Sequence, residues 1–76
     1  MNKYQEIIAQ DFNVLLGKPH IKGTRISVEL ILTKLAEGAS NQDILAMYPH
    51  LNYEQILACI EYAANVISHD EILEFA

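Results

Sequence analysis

A chain of 76 residues with 51% hydrophobic residues is one small domain, and its core hides only about 60% of the surface the unfolded chain exposes, so a homodimer or another partner chain is expected. No apolar run approaches the roughly 18 residues of a membrane span, and Met1 to Ala9 lacks the basic start and apolar centre of a signal peptide, so a cytoplasmic, non-membrane protein is predicted. The net charge of −5 is uneven: Lys3, Lys18, Lys22, Arg25 and Lys34 all precede residue 35, whereas residues 35 to 76 carry only acids (Glu37, Asp43, Glu54, Glu61, Asp70, Glu71, Glu74), which repel a nucleic-acid backbone.

In chain order, Met1 to Leu16 reads two ways. Tyr4, Ile7, Ile8 and Phe12 fit a short helix, and Ile7-Ile8-Ala9 equally fits a strand pairing with His20-Ile21-Lys22. Pro19 biases Lys18 toward extended geometry, and Gly17 and Gly23 permit turns with positive φ, so an extended arm is favoured through residue 26.

Ser27 caps a first helix whose Val28, Ile31, Leu32 and Leu35 recur at i, i+3, i+4 and i+7, and Gly38 ends it. Ser40 with Asp43 forms a capping box for a short second helix carrying Ile44, Leu45 and Tyr48, closed by Pro49. Asn52 with Gln55 opens the third, whose main apolar stripe is Tyr53, Ile56, Leu57, Ile60, Ala63, Ala64 and Ile67.

A second ridge on this helix, Cys59, Tyr62 and Val66, is the predicted dimer or partner surface, extended by Ile72, Leu73 and Phe75 in the tail. The expected organisation is a single domain 1–76: an N-terminal arm 1–26, a three-helix core 27–67 and a tail 68–76. The fold class is mainly α, a trihelical helix-turn-helix bundle with an extended N-terminal arm or short β-hairpin.

The chemistry of catalysis is not evident in these residues. Lys22-Gly23-Thr24 inverts the order a phosphate loop requires, since there the lysine follows the glycine; a simple turn fits better. His20, His50, His69 and Cys59 lack the paired spacings of a zinc site, so no metal and no cofactor is expected; Cys59 reads as a reduced, packed thiol. The remaining constellation is the helix-turn-helix. Asn52, Tyr53 and Gln55 open its third helix and can face base edges, while Lys18, Lys22, Thr24 and Arg25 in the arm can reach DNA. Equally, Asn52 and Gln55 can serve as caps, Tyr53 as core, and Arg25 as the partner of Glu29. A protein scaffold that never touches DNA is the alternative, and its acidic half then calls for a basic partner.

Gly17-Lys18-Pro19, Ile21-Lys22-Gly23-Thr24-Arg25-Ile26, Val28, Leu35-Ala36-Glu37-Gly38, Ile44-Leu45, Tyr48-Pro49-His50-Leu51 and Ala58 to Ala64 together resemble the bacterial family catalogued as domain of unknown function 433, over roughly residues 8 to 65. The resemblance implies a homeodomain-like fold and a VapB-like antitoxin that neutralises a nuclease toxin of the PIN-like class and binds its own operator DNA. The chain departs from that pattern at Asp11-Phe12, Leu16-Gly17 and His20.

Overall fold

The computed structural model describes residues 4–75, and their side chains as far as Ser68. A single helical turn, α1 (Tyr4–Ile7), runs directly into strand β1 (Ile8–Ala9), which pairs antiparallel with β2 (His20–Ile21) in the register Ile8 to Ile21 and Ala9 to His20. Both readings of the N-terminal stretch are therefore realised in succession, and the Lys22 N–H extends the pairing by donating to the Ile7 carbonyl at 2.8 Å. An extended arm is not what forms. Tyr4, Ile8, Ile21 and Ile26 are all buried with the helices, because four large apolar side chains in one short stretch gain more from the core than from solvent.

Two turns set the geometry of this hairpin. In the first, the Asp11 carboxylate accepts from the Asn13 N–H at 2.9 Å, and a single 3-10 turn, Leu15–Gly17, follows. Leu15, Leu16 and Gly17 all have positive φ (53°, 55° and 86°), which costs roughly 1–2 kcal/mol at each leucine. In the second, the Thr24 hydroxyl donates to the Ile21 carbonyl at 2.8 Å and accepts from the Ile26 N–H at 3.0 Å, with Gly23 supplying a φ of 82°.

Helix α2 (Val28–Ala36) starts where Ser27 Oγ accepts from the Leu30 N–H at 2.9 Å, and it buries Val28 and Ile31. Helix α3 (Asn41–Met47) has the full capping box: Ser40 Oγ accepts from the Asp43 N–H and the Asp43 carboxylate from the Ser40 N–H. The backbone and hydroxyl of Ser40, in that order, hold the Asp43 carboxyl below its ordinary range. Helix α4 (Tyr53–Phe75) opens on the reciprocal pair Asn52 N–H to Gln55 Oε1, 2.8 Å, and Gln55 N–H to Asn52 Oδ1, 2.9 Å. It continues through Phe75, where the sequence divides off a tail at residue 68.

The centre of the core is Ile21 from β2, Ile31 from α2, Ile44 from α3, and Ile56 and Cys59 from α4, all fully buried. Helix α4 is the hub, packing against α1, β1, α2 and α3. Tyr4 meets Tyr62 edge to face, with centroids 5.8 Å apart and planes at 78°. The chain is thus mostly helical with one small two-stranded antiparallel sheet. Among the described residues no helix is long and apolar enough to cross a membrane.

Candidate functional site

The residues expected to face DNA divide into three places. Lys22, Thr24 and Arg25 share a shallow depression of about 420 Å³ with His20 and Asp11, formed where the β2 turn folds over the preceding loop. Thr24 is committed to the turn, because its hydroxyl already donates and accepts within it. His20 is buried, with Nδ1 3.0 Å from the Lys18 carbonyl, so Nδ1 carries the proton in that bond. Lys22 and Arg25 stay exposed and make no ion pair among the described residues. Of the two readings open for Arg25, the pair with Glu29 does not form; Glu29 instead meets Lys18 at 3.2 Å, between two well-exposed side chains where such pairs contribute little. Asn52 and Gln55 stand at the start of α4, where each spends its carbonyl oxygen on the cap and keeps its NH₂ group.

The predicted partner ridge is partly reversed. Cys59 is fully buried, so it cannot form an interface, and desolvation pushes its thiol from an ordinary value of about 9 up to about 11. Tyr62 is half-buried against Tyr4, on the core side of α4. Val66 is exposed, and Ile72, Leu73 and Phe75 lie outside the residues whose side chains are described.

The expected core stripe meets the opposite fate. Of its members only Ile56 is fully buried, whereas Tyr53, Leu57, Ile60 and Ile67 are 51%, 43%, 41% and 61% exposed and Ala64 is exposed with them. The reason is tertiary: α1 and β1 cover the side of α4 that carries Cys59 and Tyr62, leaving the other apolar side in solvent. The five exposed residues recur at intervals of four, three, four and three, a continuous strip along one side of the helix and the signal by which they were legible.

Beside this strip a groove of about 580 Å³ opens between α2 and α4. Val28, Leu32 and Ala36 line it from one helix and Tyr62, Val66 and Ile67 from the other. Its lining is apolar apart from Lys18, Glu29 and Thr33, so it has the character of a protein contact rather than of a polar reaction site. Among the described residues no three His, Cys, Asp or Glu side chains converge as metal ligands.

No curated protein matches the chain. In structure it is similar to a crystal structure of a DUF433 member protein from Anabaena variabilis, with a TM-score of 0.78 and 29% identity over 86% of this chain; the match spans 64% of that protein's length. The family model described as "Protein of unknown function (DUF433)" matches residues 8–63, which run from β1 through the middle of α4 and include the β2 turn, helices α2 and α3 and all of the buried core but Tyr4, and the chain therefore belongs to the DUF433 family.

Proposed function

We propose that this protein is an antitoxin-like, non-catalytic binding module with a homeodomain-like helix-turn-helix body, and that it captures and neutralises a nuclease toxin of the PIN-like class. The observation that carries the reading is α4 itself: an exposed apolar strip on a helix with no lysine or arginine, in a half of the chain that holds only acids. A nuclease must present cations to hold its phosphate substrate, and an acidic helix with an apolar strip competes for that surface while burying its own. Co-expression with a nuclease of the PIN-like class encoded by an adjacent gene tests it. The expected result is a complex that co-elutes on gel filtration and suppresses RNA cleavage; free elution with undiminished cleavage sinks the reading.

A second reading, operator binding, is favoured by the exposed cations Lys22 and Arg25 on one turn, with the amides of Asn52 and Gln55 as base-reading candidates. Titration against promoter and scrambled duplexes at two salt concentrations decides it. Specific, salt-sensitive binding lost in Arg25→Ala supports a regulator, and no binding at low salt leaves a protein-only scaffold.

A further inference from the structure

We propose that the outward strip of α4, Tyr53, Leu57, Ile60, Ala64 and Ile67, is the docking surface for a basic amphipathic helix of the partner protein. This rests on the partner-binding reading above and names the surface and the chemistry of its occupant. The strip leaves four large apolar side chains, Tyr53, Leu57, Ile60 and Ile67, exposed side by side, and contiguous exposed apolar surface of this kind marks an interaction site.

The spacing then says what kind of object fits. Intervals of four and three keep an apolar seam on one side of a helix, and such a seam packs against another helix, whose side chains enter the spaces between Leu57, Ile60, Ala64 and Ile67. Ala64 in the middle admits close approach.

Charge decides between occupants. Glu61 follows Leu57 by four positions and borders the strip, and no cation lies anywhere beyond Lys34. A second copy of α4 would set acid against acid, with no lysine or arginine on either helix. A helix with an apolar face flanked by lysine or arginine complements both the strip and its border. DNA is excluded from this side by the same sign of charge.

The test uses fluorescence anisotropy with two synthetic helical peptides sharing one leucine seam, flanked by lysines in one and by glutamates in the other. The full chain is expected to bind the lysine peptide at least tenfold more tightly at moderate salt. Ile60→Glu and, separately, Tyr53→Glu should each weaken that binding at least tenfold with unchanged circular dichroism, and Glu61→Lys should weaken it several-fold. Equal binding of the two peptides, no binding, or indifference to both strip variants overturns the proposal. So does light scattering that finds a wild-type dimer converted to monomer by Ile60→Glu, because a second copy then owns the strip. Peptide binding without capture of the nuclease keeps the surface and removes the antitoxin reading. Nuclease capture indifferent to Ile60→Glu does the reverse.

Discussion

The two long sides of α4 have nearly the same composition and opposite fates. One side places Ile56, Ala58 and Cys59 in the core, with Tyr62 edge-on to Tyr4; the other leaves Leu57, Ile60 and Ile67 in solvent. Hydrophobicity does not separate them. What separates them is that α1 and β1 lie over the first side, anchored by the pairing of β1 with β2, whereas among the described residues the second stays exposed, with Ile67 at the rim of the groove against α2. A helix apolar on two sides in a small domain carries one side for its own stability and one that, among the described residues, stays exposed.

The largest test of this contrast is a matched pair of truncations. Ile56→Ala removes a fully buried side chain and should cost about 2–5 kcal/mol. Ile60→Ala, on the side away from the core, should cost less than about 1 kcal/mol. Urea unfolding of both variants reads the difference, and equal losses would mean that the strip is covered within the folded chain.

Cys59 gives a chemical version of the same contrast. Its buried thiol, raised to about 11, should resist alkylation at neutral pH until the protein is unfolded, whereas a cysteine placed at Ile60 should react readily. The group's folded value lies above its unfolded one, so its contribution to stability is complete below about pH 9 and declines as pH rises toward 11. Thermal melts of wild type and Cys59→Ala across that range should converge as pH rises.

The start of α4 serves both sides at once. Asn52→Ala removes the acceptor for the Gln55 N–H and should cost about 1 kcal/mol by urea unfolding, without favouring either side. A cost near zero would mean that water replaces the cap.

The smallest effect is expected at Leu16, 78% exposed with φ at 55°. Leu16→Gly relieves a left-handed leucine and surrenders almost no burial, so a gain of up to about 1 kcal/mol is expected in a urea melt. A clear loss would show that this side chain contributes in the folded chain, unlike the exposed members of the α4 strip.

Local signals proved sufficient for the helix starts, though not for the end of α4, which runs past residue 68 to Phe75. Ser27, Ser40 with Asp43, and Asn52 with Gln55 all make the hydrogen bonds that their spacing implies, because a cap involves partners within three residues and needs no knowledge of the rest of the fold. The pairing of Ile8-Ala9 with His20-Ile21 was legible as one of two alternatives. Neither alternative alone was right, since Tyr4 to Ile7 turns as a helix before the strand begins.

The candidate site was less legible, for a reason that lies in distance along the chain. Residue order and charge determined the division into a basic N-terminal part and an acidic C-terminal half, the three capped helices, and the presence of two apolar sides on the last of them. Only tertiary structure decided that Cys59 goes inside while Tyr53 and Ile60 stay out, that Glu29 takes Lys18 rather than Arg25, and that Thr24 spends its hydroxyl on its own turn. Periodicity reports the angle between side chains on one helix, but which angle faces inward depends on packing by segments nearly sixty residues away, such as Tyr4 against Tyr62.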